Sequence, residues 1–220
     1  MLLYEGLSAL LSHSAVTGVR NGADVLLKTM FLTLGGRNGL VVFGALLVGA
    51  GAWLVWRDLQ RHPGPIRSSV LGGMLLESIV YAAVFGLVAS LLTVLLLHGR
   101  MMLVPAPLDR IPLATQLVVS LGAGIYEELL FRVLLVSGLV ALGVALGWKR
   151  PTAVFAAVVV SALIFSAFHY IGPYGDPLTL PSFTFRAVAG VLFSGLFVAR
   201  GFGITAWTHA LYDVGFSVLS

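Results

Sequence analysis

Apolar residues in this chain are grouped into long runs, and short polar stretches separate one run from the next. Most runs reach the roughly 20 residues, with about 17–25 acceptable, that a helix needs to cross a bilayer. We place the runs at residues 39–56, 70–97, 112–147, 152–170, 184–199 and 202–219. The pattern predicts an all-α protein, a polytopic bundle of about six transmembrane helices.

Two segments depart from this simple pattern. Residues 112–147 would extend about 54 Å at 1.5 Å per residue, which is too long for one upright span. The sequence GAG at 122–124 is the expected break, with an entry or re-entrant segment before it and a helix from about 124 to 147. Residues 1–38 carry scattered charges and predict an interfacial amphipathic helix with a connector, or alternatively a tilted extra span. We expect residues 1–220 to form a single integral membrane domain.

The composition supports a membrane location. Of the residues, 59% are hydrophobic and 10% are charged, and the mean hydropathy is +1.02. Soluble domains carry about a quarter charged residues, so lipid must surround this chain. We expect a multi-pass protein of a bacterial-type plasma membrane, whose oligomeric state the sequence leaves open.

Charge and cysteine content exclude several classes of function. The net charge of +4 comes from basic residues scattered over short connections, which does not indicate nucleic-acid binding. The absence of cysteine excludes disulfides, thiolate catalysis and cysteine-ligated metals. The candidate chemistry must therefore come from carboxylates and histidines.

The stretch IYEELLFRVLL, residues 125–135, places charges inside an apolar run. Each ionisable residue at a helix centre costs about 2.5–3.5 kcal/mol on insertion scales, and such residues usually face the bundle interior. Glu128 and Arg132 have i,i+4 spacing and can form an ion pair. Glu127 points about 100° away on a regular helix, with no local partner. It is the carboxylate that the ion pair leaves over.

Two other runs contain polar residues that Glu127 could meet. His169 lies near the end of one run, and His209 and Asp213 lie one helical turn apart on the next but one. Polar side chains in lipid seek each other because an unsatisfied one costs several kcal/mol. We therefore predict that Glu127, His169 and His209 converge in one cavity. The other histidines fall in interfacial or loop segments: His13, His62 and His98.

The sequences EELLFR, FSAFH and HALYD resemble the ordered motifs EExxxR, FxxxH and HxxxN/D of the CPBP family. That family is also called the Abi or CAAX-protease family. The resemblance covers roughly residues 115–219, within a motif-bearing core at 112–220. It implies a glutamate-dependent intramembrane endopeptidase that acts on a membrane-associated protein or peptide. Relatives cleave prenylated C-terminal tails, but no feature of this sequence identifies a prenyl group.

Roles follow from the resemblance together with the needs of peptide hydrolysis, which are a base for water and a donor for the oxyanion. Glu127 is the expected base, and His169 helps to hold and polarise the water. His209 is the expected oxyanion donor. Family members often have Asn where this chain has Asp213, so we expect the aspartate to orient His209 and favour its protonated form.

The remaining motif residues are expected to support the site. Glu128 and Arg132 would form its structural ion pair. Phe165 precedes His169 by one turn and would form a wall that packs the site and contacts substrate. No cofactor is expected.

Several alternatives stay open. Two histidines and a carboxylate could hold zinc with an open water position, although the chain has no HExxH motif. A non-catalytic membrane chaperone or immunity protein could retain the same fold. A haem protein would leave Glu127 without a role, and a transporter lacks support from an inverted repeat.

Overall fold

The structure is a computed structural model that describes residues 2–11, 20–61, 67–99, 112–172 and 175–219. His13 and His62 lie outside these residues. Over the described part, the chain forms helices and no strand. The helices are α1 (Leu2–Leu11), α2 (Gly22–Arg61), α3 (Ser68–Leu96), α4 (Leu113–Ala145), α5 (Arg150–Phe168), α6 (Leu180–Arg200) and α7 (Phe202–Leu219).

Five of these helices, α2 to α6, are long and apolar enough to cross a membrane. The chain is thus an all-α bundle and an integral membrane protein, as the apolar runs predict. Helix α7 corresponds to the sixth expected span but is not among the five, because its 18 residues include His209 and Asp213. Its length of about 27 Å is still close to the thickness of a hydrocarbon core.

Helix α2 begins earlier than the apolar run at 39–56 indicates. It starts at Gly22, and the backbone departs from helical geometry at Gly36, where φ is +57°. Before this kink, Ala23 and Leu27 are buried in the bundle core. After it, most side chains are exposed and would face lipid. The segment before the kink is therefore part of the folded core, which the apolar pattern alone does not reveal.

Helix α4 runs through the GAG sequence without a break, so the expected entry or re-entrant segment is wrong. Its backbone instead contains two π-helical stretches, Ala123–Glu127 and Leu129–Val136. Such stretches are rare and occur frequently at functional sites. The π-helical turns keep the chain hydrogen-bonded through the glycines. The carboxylates of Glu127 and Glu128 lie where the two stretches meet.

The two glycines of the GAG sequence, Gly122 and Gly124, allow close helix packing. A Cβ atom at Gly124 would overlap the carbonyl oxygen of Ala206 and the side chain of Ala210 in α7. A Cβ atom at Gly122 would overlap the ring of Tyr4 in α1. Only glycine permits both approaches, which bring α7 and the N-terminal segment against the same part of α4.

Helices α5, α6 and α7 complete the bundle around α4 and α3. Helix α6 begins at Leu180, ahead of the predicted start at 184, because Thr179 caps it and Pro181 is tolerated in a first turn. Gly201, with φ +79°, makes the one-residue turn from α6 to α7. This tight turn holds α7 antiparallel to α6 and sets His209 in the bundle interior.

Candidate active site

Glu127 lies at the centre of the candidate site, at the end of the first π-helical stretch of α4. Its side chain is buried, with 6% of the residue exposed. Oε2 lies 3.9 Å from Nε2 of His169 and 3.9 Å from Nε2 of His209. Within the described chain, this oxygen has no direct hydrogen-bond partner. The predicted convergence of these three residues is thus observed, with gaps too long for direct hydrogen bonds.

His169 follows the last residue of α5, and its orientation is fixed by its own helix. Its Nδ1 lies 2.8 Å from the carbonyl oxygen of Phe165. A carbonyl oxygen only accepts, so Nδ1 must carry the hydrogen and donate. In the neutral ring Nε2 is therefore a bare acceptor that faces Glu127.

Glu128 and Arg132 form the predicted ion pair, with 3.1 Å between Oε1 and Nη1. Both residues are 0% exposed. The same Oε1 of Glu128 also lies 2.6 Å from Nδ1 of His209. Glu128 therefore does more than neutralise Arg132: it joins α4 to α7 through the imidazole ring.

The Arg132 guanidinium lies among three aromatic rings. Its central carbon is 4.5 Å from the ring centroid of Phe165, 5.5 Å from that of Phe193 and 6.0 Å from that of Phe131. Cations are attracted to the faces of such rings, and the attraction is strongest where water is excluded. The rings and Glu128 together hold the charge without any lipid contact.

Phe165 and Phe193 also fix the histidines. The Phe193 ring stacks on His209 with a centroid separation of 4.5 Å, and the Phe165 ring lies 4.7 Å from that of His169. Phe165 is 3% exposed, so it packs behind the histidines in the wall of the site. Direct contact with substrate, which the sequence analysis expected of Phe165, would need a change in this packing.

Asp213 lies on the open side of the site. Its Oδ2 is 3.6 Å from Nε2 of His209, beyond a direct hydrogen bond. The prediction that Asp213 orients His209 is therefore wrong. Glu128 makes the hydrogen bond to His209 that sets the orientation of its ring. Asp213 instead faces the same imidazole nitrogen that faces Glu127.

An N-terminal residue that the sequence analysis did not single out completes the surroundings of Glu127. Asn21 is buried just before α2, and its Nδ2 donates to Oε1 of Glu127 over 2.8 Å. Its Oδ1 accepts from the backbone N–H of Ala23 over 2.9 Å, so Asn21 also caps α2. The sequence NGAD, an asparagine three positions before an acidic residue, is a recognisable helix start that could have drawn attention to it.

A network of charged and phenolic groups anchors this N-terminal segment. Asp24 accepts from Tyr4 at 3.0 Å and pairs with Arg20 at 2.9 Å and Lys28 at 2.7 Å. The Tyr4 hydroxyl in turn accepts from the backbone N–H of Asn21 at 3.1 Å. Helix α1 and the start of α2 are thereby fixed to each other next to Glu127.

Glu5 connects the same network to α4. It accepts from the hydroxyl of Tyr126, the residue before Glu127, over 2.5 Å. Burial alone would raise the pKa of the Glu5 carboxyl. Hydrogen bonds from Lys28 and Tyr126, and then from Arg20, outweigh burial and hold that pKa below its usual value. Glu5 therefore stays ionised at neutral pH.

The zinc alternative can be examined against this geometry. No group of three or more His, Asp or Glu side chains in the described ranges has the arrangement of a metal site. Glu127, His169 and His209 meet around a space bounded by 3.9 Å separations. Removal of metal from the purified protein by a chelator tests the zinc alternative.

The class of protein follows from these features: a helical membrane protein with a buried cluster of glutamate, histidine and arginine. The model of the family Type II CAAX prenyl endopeptidase Rce1-like matches residues 109–215. No curated protein and no solved structure matches the chain. The matched residues run from the approach to α4 into the last turns of α7, and all seven predicted site residues lie within them.

The match over residues 109–215 confirms the resemblance to the CPBP, or CAAX protease, family that the three motifs indicate. This match supports intramembrane protease activity on a membrane-associated protein. Helices α1 to α3 precede the matched region, and with them Asn21 and its network.

Proposed function

We propose that this protein is a glutamate-type intramembrane endopeptidase in which Glu127 activates a water molecule for attack on a peptide bond. The observation that carries the proposal is the position of Glu127 Oε2, which faces Nε2 of both His169 and His209 at 3.9 Å. One bridging water fits separations of this kind, because two hydrogen bonds that meet at an angle join atoms farther apart than one bond does.

The water is held between Glu127 and His169. It donates one hydrogen to Oε2 of Glu127 and the other to the bare Nε2 of His169. Both of its hydrogens are then engaged, and a lone pair is free to attack the scissile carbonyl carbon. Glu127 takes the proton as the carbon–oxygen bond forms, which is the role of a general base.

His209 stabilises the oxyanion. Its Nδ1 donates to Glu128, so Nε2 carries a hydrogen only when the ring is an imidazolium. Carboxylates surround the ring, with Glu128 at one nitrogen and Asp213 and Glu127 near the other, and they favour the charged form. In the free enzyme Asp213 faces the Nε2 hydrogen, and the oxyanion takes its place during the reaction.

The cycle closes when the tetrahedral intermediate breaks. The carbon–nitrogen bond cleaves, and the proton held by Glu127 passes to the leaving amine. The products are a new carboxylic acid and a new amine; the acid gives up its proton, which leaves a carboxylate and an ammonium group, and Glu127 returns to its ionised form. No covalent enzyme intermediate is needed.

The substrate we propose is a membrane-associated protein or peptide, and the location is a bacterial-type plasma membrane. The family name supports a prenylated C-terminal tail as the first substrate class to examine. An unmodified peptide segment that enters the site from the bilayer is the second class.

Mass spectrometry of protein termini in membranes tests this function. Membranes that contain the wild-type chain are compared with membranes that contain Glu127→Gln at equal abundance. We expect new termini that depend on Glu127. The same termini in both samples, together with an unchanged cellular phenotype, would instead favour a non-catalytic chaperone or immunity protein.

A further inference from the structure

We propose that Asn21, which lies outside the family domain, is a positioning residue that holds Glu127 so that only Oε2 faces the reacting water. This inference rests on the proposed function of Glu127. It makes the N-terminal segment part of the active site.

The orientation of the Asn21 amide follows from its neighbours. One end of the amide lies 2.9 Å from the backbone N–H of Ala23, and an N–H can only donate. That end must therefore be Oδ1. The other end is then the NH₂ group, and it donates to Oε1 of Glu127 over 2.8 Å.

Three further features keep Asn21 in place. Its backbone N–H donates to the Tyr4 hydroxyl over 3.1 Å. That hydroxyl donates to the fully buried Asp24 in the first turn of α2. The absence of a side chain at Gly122 leaves room for the Asn21 Cβ and the Tyr4 ring to approach α4. The donor is thus rigidly held before substrate binds.

The consequence for Glu127 is an asymmetric carboxylate. Oε1 is engaged by Asn21, whereas Oε2 has no direct partner in the described residues and faces both histidines. Without the amide, the carboxylate could rotate and present either oxygen. The amide also stabilises the ionised carboxylate, because a hydrogen bond to a charged form favours that form.

Two variants separate this role from the helix cap. Asn21→Ser keeps an uncharged oxygen that caps α2, but its hydroxyl is too short to reach Glu127. Asn21→Asp keeps the size and the cap oxygen and removes the donor at neutral pH. Asn38→Ser is the matched control, since Asn38 lies on the same helix and is exposed.

The measurement is the rate of peptide cleavage by purified full-length protein in liposomes, from pH 5 to 9. The probe is a synthetic peptide that spans a Glu127-dependent cleavage site found by the analysis of termini. Melting temperatures are measured in parallel. The charged and titratable groups that interact with Glu127 are the same in each Asn21 variant, namely His169, His209, Arg132 and Asp213.

We expect Asn21→Ser and Asn21→Asp to lose on the order of 10-fold to 100-fold in rate, by analogy with residues that orient the ligands of metal sites. Asn21→Ser should melt like the wild type, and its acid limb should move to higher pH. A purely structural role would lower the rate equally at every pH, in step with the folded fraction. That result, or a wild-type rate in both variants, would overturn the inference while Glu127→Gln stays inactive. Equal cleavage by wild type and Glu127→Gln would instead overturn the proposed function itself.

Discussion

Glu127 and Glu128 are neighbours in sequence and have opposite surroundings. Glu128 is fully buried, and its Oε1 contacts His209 at 2.6 Å and Arg132 at 3.1 Å. Glu127 has one oxygen engaged by Asn21 and the other separated from two histidines by 3.9 Å. The first carboxylate is closed by protein contacts, and the second is open to a small molecule. The difference supports the proposal that Glu128 has a supporting role and Glu127 a chemical role.

The largest effect is expected from breaking the ion pair between Glu128 and Arg132. Arg132→Ala leaves Glu128 as a buried charge with one partner fewer and removes the guanidinium from its aromatic surroundings. Breaking a buried pair in this way costs about 3–5 kcal/mol of stability. Thermal melts in detergent should show this loss together with loss of activity.

The control for Arg132→Ala is Arg200→Ala. Arg200 also pairs with a glutamate, Glu77, through two hydrogen bonds, but this pair is exposed. We expect little change in melting for this variant. Equal destabilisation by Arg132→Ala and Arg200→Ala would contradict the expected contribution of the buried Glu128–Arg132 pair to stability.

The second prediction concerns the open side. Glu127→Gln is nearly isosteric, still accepts from Asn21 and removes a buried charge, so the fold should persist. Loss of the general base should lower the cleavage rate by about 10²-fold to 10⁴-fold. Melting and rate are measured on the same preparation. A melting temperature that falls as far as in Arg132→Ala would remove the distinction between the two carboxylates.

A smaller effect is expected from Asp213→Asn. Asp213 is 3.6 Å from His209 Nε2 and makes no direct hydrogen bond to it. The amide removes one negative charge near the imidazolium but supplies a second donor for the oxyanion. We expect a rate within about tenfold of the wild type, in contrast to a larger loss in Asp213→Ala. Equal losses in both variants would argue against a donor at this position.

The smallest effect is expected from chelation. Water activated by Glu127 needs no ion, so activity should survive prolonged treatment with a strong chelator. Purified protein should contain less than one zinc per chain by elemental analysis. Activity that disappears on chelation and returns with zinc or cobalt would indicate a metal-bound water, whose pKa falls to about 7 only with the ion present.

The sequence predicts the polar residues of the site better than it predicts the backbone that carries them. Glu127, His169 and His209 could be found because ionisable residues within apolar runs are costly and must meet. The GAG sequence was misleading, because glycine permits a chain break and close helix packing equally well. Gly124 serves packing against α7. A chain break and close packing cannot be told apart without knowing which helix lies next to the glycine.

Asn21 escaped prediction for a different reason. It lies in an N-terminal segment whose charges resemble those of an interfacial helix, and its partner Glu127 is 106 positions away. Local spacing gives no signal for such a contact. The helix-start pattern indicates only that Asn21 caps α2, which accounts for its Oδ1 and leaves the donor at Nδ2 unexplained.

The central claim is that Glu127 takes a proton from a water molecule, which then attacks the peptide carbonyl directly. A single-turnover cleavage in H₂¹⁸O, with enzyme in excess over peptide, tests this claim most directly. Direct attack by water places ¹⁸O in the new carboxylate of the product during the first turnover. If Glu127 attacked the carbonyl itself and water then cleaved the resulting anhydride at the Glu127 carbonyl carbon, the product would receive an ordinary oxygen from the enzyme and ¹⁸O would appear in Glu127. Labelled product with unlabelled Glu127 is the predicted result, and unlabelled product with labelled Glu127 would contradict the account.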